Sequence, residues 1–192
     1  MPRASAADAA RTAERILGRA SAQFAAQGVA AVSLDDVARA AGVTRGAVYH
    51  HFGSKAGVLA AVVDRLHGEV AERVVAAADE AGEDPLDRLR AGSHAFLDAI
   101  TARATARILL VDAPAILGWE AWRQSDAEHS GAHLRDALEE LGVSADLLEA
   151  LAAQLSGAMN ESAVWVAAQP DPAAALRSAH SALDRLLRAA VD

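Results

Sequence analysis

Side chains that donate hydrogen bonds to phosphate oxygens and base edges are concentrated between residues 33 and 55. They comprise hydroxyls, a guanidinium, a phenol, imidazoles and an ammonium, which are the groups that contact the backbone and bases in protein–DNA complexes. A glycine among them would let the backbone lie close to the bases. The residues predicted to contact DNA are Ser33, Thr44, Arg45, Gly46, Tyr49, His50, His51 and Lys55.

The same stretch predicts two short helices joined by a tight turn. Ser33 is a good N-cap for the first helix, and Asp36, three residues later, completes a capping-box-like pair. Gly42 closes that helix, because glycine adopts positive φ without a side-chain penalty. Thr44 caps the second helix, which is expected to end near Phe52. This order predicts a helix-turn-helix, whose second helix enters the major groove. An ordinary helical hairpin with solvated polar residues is the alternative interpretation.

The segment AAGVTRGAVYHHFGSKAGVLAAVV resembles the signature of TetR-type transcriptional regulators, an all-helical family of DNA-binding dimers. The resemblance covers about the first third of the chain, and the remainder is similar only in its helical character. One departure is Ala56–Gly57, where the family more commonly has Glu or Asp. The matching positions are Phe24, Gly28, Ser33, Ala38, Ala41, Gly42, Val43, Thr44, Gly46, Val48, Tyr49, His51, Phe52, Lys55 and Leu59.

The charge distribution agrees with a DNA-binding amino-terminal part. The 192-residue chain has a formal net charge of −8, which by itself disfavours nucleic-acid binding. Residues 1–68, however, contain eight Lys and Arg against five Asp and Glu, and the remainder contains ten against twenty-one. The first part is therefore net +3 and the rest net −11. A basic head on an acidic body indicates separate roles, and the acidic body would orient the head toward DNA.

Composition excludes several other classes of protein. Cysteine is absent, so the chain has no disulfide framework, thiol nucleophile or cysteine-based zinc site. No run approaches the roughly twenty apolar residues that a membrane span requires. The chain begins with a polar arm that lacks the apolar core of a signal peptide, which predicts a cytoplasmic protein.

Periodicity predicts an all-α fold of about nine helices in two domains. Residues 1–53 are expected to form the helix-turn-helix DNA-binding domain, and residues 54–192 a helical ligand-binding and dimerisation domain. A long helix from Ser54 to Ala81 is expected to link them. A short apolar segment, Arg107–Asp112, is expected to be broken by Pro114, and Ser144 is expected to cap the penultimate helix.

The last two helices are the predicted dimerisation surface. Both have wide Ala/Leu faces that allow close approach of a second helix, and the TetR resemblance implies a four-helix bundle between subunits. The alternative is that these faces pack only within the monomer. The predicted interface residues are Leu151, Leu155, Ala158, Leu176, Leu183 and Leu187.

Aromatic residues in the body predict a small-molecule pocket, since aromatic walls with a few polar groups suit such sites. For any one of these residues, a core position is the alternative. Arg107 and Asp112 form either a ligand clamp or a structural ion pair, and Asn160 offers an amide among apolar neighbours. The predicted ligand-binding residues are His94, Phe96, Arg107, Trp119, Trp122, Met159, Asn160 and Trp165.

The functional expectation is a homodimeric repressor released from a palindromic operator by a small molecule. No cofactor is predicted. His129 and His133 have metal-binding spacing on a helix, but without a third ligand we predict no metal. Two alternatives are a binding protein that retains the head only as a structural domain, and an enzyme. The enzyme is disfavoured because no catalytic constellation can be assembled.

Overall fold

The computed structural model of the chain describes residues 6–191, apart from the side chains of residues 103 and 104. Within that range the backbone forms nine helices and no strand, which confirms the predicted all-α class. The ends of the two predicted domains, residues 1–5 and 192, lie outside it. The helices are α1 (Ala6–Gln27), α2 (Leu34–Ala41), α3 (Arg45–Phe52), α4 (Lys55–Glu80), α5 (Pro85–Ile100), α6 (103–117), α7 (119–140), α8 (Ala145–Ala167) and α9 (Pro172–Val191).

Among the head helices α1–α3, the predicted capping determines both ends of α2 and the start of α3. The Ser33 side chain accepts a hydrogen bond from Asp36 N, and Asp36 returns one to the Ser33 backbone, so the capping box is present. Gly42 has φ 63° at the end of α2. The Thr44 hydroxyl caps α3. Val48 is fully buried, and it therefore fixes which face of α3 points inward.

Helix α4 belongs to both halves of the fold. Its first turns pack on α1 and α3, and its remainder packs lengthwise along α5. Val58, Leu59 and Val62 of α4 are fully buried against the head. The buried apolar residues of head and body form a single continuous cluster. The head is consequently attached to the body through packed side chains as well as through the chain itself.

Two helices of the body contain π-helical turns that the sequence did not reveal. Arg107–Asp112 is π-helical inside α6, and Ala127–Gly131 is π-helical inside α7. The expectation that Pro114 breaks the first segment is wrong, because Pro114 lies in the first turn of the helical piece Ala113–Leu117. Pro114 directly follows the π-helical turn, and Asp112 and Ala113 before it both keep right-handed helical backbone angles, so the missing N–H of the proline does not interrupt the helix. A single helix therefore runs through the proline and ends before Gly118.

The last two helices are largely occupied within the chain itself. Leu155, Leu183 and Leu187 are no more than 5% exposed and lie in the core, so their assignment to the dimerisation surface is corrected. Leu151 and Leu176 are half-buried and pack against the same core. Ser144 precedes α8, but its hydroxyl makes no capping hydrogen bond. The exposed large apolar side chains of these helices are Leu147, Val164, Trp165 and Leu186.

Candidate nucleic-acid interface and body cavities

Helix α3 presents most of the predicted DNA-contacting side chains on its outer surface. Its first turn is ordered by Thr44, whose Oγ1 accepts a hydrogen bond from Ala47 N at 3.2 Å. Arg45, Gly46, Tyr49 and His50 are exposed, with Tyr49 at 45%. His51 is half-buried at the side of the helix, between His50 and Phe52 in ring contact. The helix therefore offers a cation, a phenol and an imidazole on one accessible face.

Arg45 is held in place on this face by two neighbours. Its Nη1 donates to Asp35 Oδ2 at 3.1 Å, and its guanidinium lies over the Tyr49 ring, 5.5 Å from the centroid. Contact with Tyr49, together with the charge of Asp35, raises the pKa of Arg45 above its ordinary value. The guanidinium is thus ionised and ordered before any partner arrives, although a carboxylate sits beside it.

Two predicted DNA-contacting residues also hold the head together. The Ser33 hydroxyl accepts a hydrogen bond from Asp36 N and donates one to Asp36 Oδ2. The bond that it donates, together with the one from Ser33 N to the same oxygen, lowers the pKa of Asp36. Lys55 Nζ donates to the Ala30 carbonyl oxygen at 3.1 Å. Ser33 remains exposed and Lys55 is half-buried. Both side chains therefore have structural partners before DNA is present.

At Gly57, the departure from the family signature has a steric reason. A Cβ on Gly57 would lie 1.9 Å from the Phe52 carbonyl oxygen, at the junction of α3 and α4. Gly57 N also donates to Ser54 Oγ, which caps α4. A glycine at this position therefore allows the two helices to meet closely.

Comparisons with known proteins agree with this head and with the helical body. The family model described as "Bacterial regulatory proteins, tetR family" matches residues 16–62, and "Tetracyclin repressor-like, C-terminal domain" matches residues 86–190. A crystal structure of a TetR-family transcriptional regulator from Pectobacterium atrosepticum is 36% identical, covers 97% of each chain and superposes with a TM-score of 0.78. The chain belongs to the TetR family.

Curated members of the family are similar to this chain over part of its length. The HTH-type transcriptional regulator TtgR of Pseudomonas putida is 40% identical over 91 residues, which is 47% of this chain and 43% of that protein. The probable acrEF/envCD operon repressor of Escherichia coli K12 is 46% identical over 55 residues, which is 29% of this chain and 25% of that protein. The matched region thus spans less than half the length of these curated relatives.

The body of this TetR-family chain contains a cavity of about 270 Å³ between α4, α5, α7 and α8. Phe96 and Met159, both predicted to bind ligand, line it. Its wall also includes Asp126 and Ser156, which are 2% and 7% exposed. Asp126 Oδ2 accepts hydrogen bonds from Arg123 Nη1 at 2.8 Å and from the Ser156 hydroxyl at 3.1 Å. Burial raises the pKa of Asp126, and these hydrogen bonds partly oppose that shift.

Three further residues of the predicted ligand set line a second, more open cavity. This space of about 360 Å³ lies between α6, α7 and α8, and Trp119, Trp122 and Asn160 border it. The rings of Trp119 and Trp122 are tilted against each other at 5.0 Å. Asn160 Nδ2 donates to Asp126 Oδ2 at 3.4 Å, so this amide lies beside a carboxylate and not among apolar groups only. Asp126 and its hydrogen-bond partners Arg123, Ser156 and Asn160 therefore lie between the two cavities.

The structure places His94, Arg107 and Trp165 away from both cavities. His94 Nε2 contacts Asp184 Oδ1 at 2.7 Å between α5 and α9, and its ring stacks on His180. Trp165 is 45% exposed on the outside of α8. The prediction that these three residues line a ligand cavity is therefore corrected.

Arg107 lies instead where the body meets the head. Its guanidinium fills the space beside Gly28, where a Cβ would lie 2.1 Å from Nη2. Asp112 accepts a hydrogen bond from Val29 N at 3.2 Å, and Arg107 Nε lies 3.7 Å from the same carboxylate oxygen. Of the two interpretations of this pair, the structural ion pair agrees with its position, since the pair holds the end of α1.

Sequence reasoning missed the buried polar residues Asp126, Ser130 and His67. Each lies at a position where helical periodicity predicts an apolar residue, and that conflict was the available signal. His67 is 2% exposed, and its Nδ1 lies 2.9 Å from Ser125 Oγ. Within residues 6–191, no group of three His, Cys, Asp or Glu side chains is arranged to hold a metal ion. None of the helices in that range carries an apolar stretch able to cross a bilayer.

Proposed function

We propose that the chain is a homodimeric transcriptional repressor that binds a palindromic operator and releases it when a small molecule occupies the body. The observation that carries this proposal is the outer face of α3, where an ordered guanidinium and a phenol stand beside exposed polar groups on a capped, rigid helix. Family membership and the repressor name of the E. coli relative support it. Residues 1–53 are the proposed DNA-binding domain, and residues 54–192 the ligand-binding and dimerisation domain.

Each residue on the head has a proposed partner on the duplex. Arg45 contacts a base edge or a phosphate, because a guanidinium serves both. Ser33 binds a phosphate with help from the N-terminus of α2. Gly46 lets α3 approach the bases. The residues assigned to phosphate are Tyr49, His51 and Lys55, and those assigned to either phosphate or base are Thr44 and His50.

The proposed dimer uses the outer surfaces of α8 and α9. Leu151, Ala158 and Leu176 are only half-buried there, and a row of exposed apolar side chains continues the surface. Two-fold pairing would place two α3 helices on successive half-sites of a palindrome. The cavity lined by Phe96 and Met159 is the proposed effector site, since α4 connects its wall directly to the head.

Selection of bound duplexes from a random pool, followed by fluorescence anisotropy over a salt series, tests this function. A repressor of this design selects a palindrome and loses affinity steeply as salt rises.

Arg45→Ala should weaken binding to the selected site by about tenfold or more, because the loss of one bidentate contact with a base reduces the binding free energy by about that much. Arg73→Ala, an exposed arginine on α4, is the matched control and should have little effect. A folded chain that binds no duplex at any salt concentration would favour the alternative of a ligand-binding protein.

A further inference from the structure

The cavity between α4, α5, α7 and α8 has buried polar side chains within a largely apolar wall. Four of them are buried: Ser93, Asp126, Ser130 and Ser156, each between 2% and 8% exposed. A ligand with an apolar body and a polar group therefore matches this wall. The apolar walls are formed by Val74, Ala78, Leu89, Phe96, Leu134 and Met159.

Two of these polar groups have unused hydrogen-bonding capacity. Asp126 receives its three hydrogen bonds at Oδ2, from Arg123, Ser156 and Asn160, and none of them goes to Oδ1. The hydroxyl oxygen of Ser130 is buried and has no hydrogen-bond partner among the described residues. Buried polar atoms are normally paired, because an unpaired one loses its hydration without compensation. The polar end of a ligand that donates hydrogen bonds would satisfy both atoms.

The charge around the cavity selects the sign of that polar end. Four carboxylates line it, those of Asp79, Asp126, Asp136 and Glu140, against one arginine, Arg88, and one histidine, His133. Arg88 is already paired with Asp79 at 3.3 Å. Asp126 is likewise paired with Arg123, which lines the second cavity and whose Nη1 lies 2.8 Å from Oδ2, so the excess negative charge comes from Asp136 and Glu140. A cation is therefore attracted at the entrance and an anion is repelled.

We propose that this cavity binds an amphipathic organic cation, whose protonated amine is held by Asp126 Oδ1 and Ser130 Oγ while its apolar body lies between Phe96 and Met159. An ammonium suits the site because it carries three donors on a compact charge. The inference rests on the proposed function, since it names the chemical class of the effector. It can nevertheless be tested by binding alone, without DNA.

Three probes that share one apolar body and differ in the head group provide the test. Isothermal titration of the full-length protein with 4-phenylbutylamine, 4-phenylbutanol and 4-phenylbutyrate at pH 7 compares a cation, a neutral donor and an anion. The amine is expected to bind at least about tenfold more tightly than the carboxylate, as charge-assisted hydrogen bonds require. An amine that binds no more tightly than the carboxylate, or does not bind, overturns the proposal.

Substitution of the buried carboxylate should remove this preference. In Asp126→Asn the amide oxygen can keep the contacts with Arg123 and Ser156, which leaves the amide N–H groups facing the cavity. The variant should lose about tenfold in affinity for the amine and bind the carboxylate more tightly than the native protein does. Asp136→Asn, which removes an exposed carboxylate at the entrance, is the matched control and should change the amine affinity by less than about threefold. Equal effects of the two substitutions overturn the assignment to Asp126.

A second variant tests the same site if Asp126→Asn fails to fold. Ser130→Ala removes a hydroxyl that has no hydrogen-bond partner within residues 6–191, so it should leave the melting temperature unchanged while weakening amine binding about threefold or more. An unchanged amine affinity in this variant removes Ser130 from the site. Operator anisotropy with each probe then separates the two hypotheses. Binding of the amine without operator release contradicts the proposed effector function but not the chemistry of the cavity.

Discussion

Arg45, the arginine in the first turn of α3, has a carboxylate beside it. The Arg45–Asp35 ion pair, at 3.1 Å, places a negative charge where a phosphate would approach. Asp35→Asn should therefore raise affinity for duplex DNA of any sequence by about three- to tenfold at low salt, the effect of removing one nearby repulsive charge. Anisotropy titrations at two salt concentrations measure this. Asp136→Asn removes the same charge from the body and should raise the DNA affinity less. Equal increases in affinity would show that the net charge of the protein is responsible, and they would contradict a local role of Asp35.

His67 makes stability depend on pH. Its burial, with His129 nearby, lowers its pKa to about 4, whereas an unfolded histidine titrates near ~6.5. As pH falls below ~6.5 the unfolded chain takes up this proton first, so the free energy of unfolding decreases until about pH 4. In His67→Asn, which can keep the Ser125 hydrogen bond, the decrease between pH 7 and pH 5 should be smaller by up to about 2 kcal/mol. Urea unfolding at both pH values tests this, and identical decreases in the two proteins would refute it.

At the scale of helices, local sequence signals predicted where the short head helices begin and end, but they did not predict the π-helical turns inside the longer body helices. The caps at Ser33 and Thr44 and the turn at Gly42 depend on atoms within four residues, so the sequence revealed them. The π-helical turns in α6 and α7 both pack against α4, and no local pattern announces them. The buried leucines of α9 show the same limit, because an amphipathic face does not say whether it meets its own chain or another.

The junction between α3 and α4 has one position where only glycine fits. Gly57→Ala would place a Cβ against the Phe52 carbonyl oxygen and displace the start of α4 from the end of α3. The free energy of unfolding should fall by about 1–3 kcal/mol, as for other overpacked sites. Gly68→Ala, in the same helix with open space around it, should instead increase stability by up to about 1 kcal/mol, because alanine favours helix. Denaturant unfolding measures both, and changes of the same sign would contradict the steric explanation.

The whole molecule combines a basic head with a strongly acidic body, at net +3 over residues 1–68 and net −11 over the rest. The acidic body cannot approach the phosphates closely, so a dimer would present its heads to the duplex first. Head and body nevertheless share one buried cluster. A change in the body therefore reaches the head through particular contacts, and the sequence alone did not show which contacts these are.

The contact best placed to carry such a change is that of Asp112 with the end of α1. Asp112 Oδ2 accepts from Val29 N, and Arg107 fills the space beside Gly28. Asp112→Ala should speed amide exchange at Val29 and lower the free energy of unfolding by about 1 kcal/mol, the worth of one hydrogen bond. Because coupling is a difference in contacts between two states, the ratio of operator affinities without and with 4-phenylbutylamine should also move toward one.

Asp98→Ala is the control for this coupling. The Asp98 carboxylate approaches His180 Nε2 at 3.1 Å, entirely within the body, so its loss should leave both the Val29 exchange rate and the affinity ratio unchanged. Hydrogen exchange followed by mass spectrometry, together with operator anisotropy, measures the two quantities independently. If Asp112→Ala increased the exchange rate at Val29 but left the affinity ratio unchanged, this contact would stabilise the head without transmitting the effect of the ligand. The coupling would then be assigned to the packing of α4 against α1.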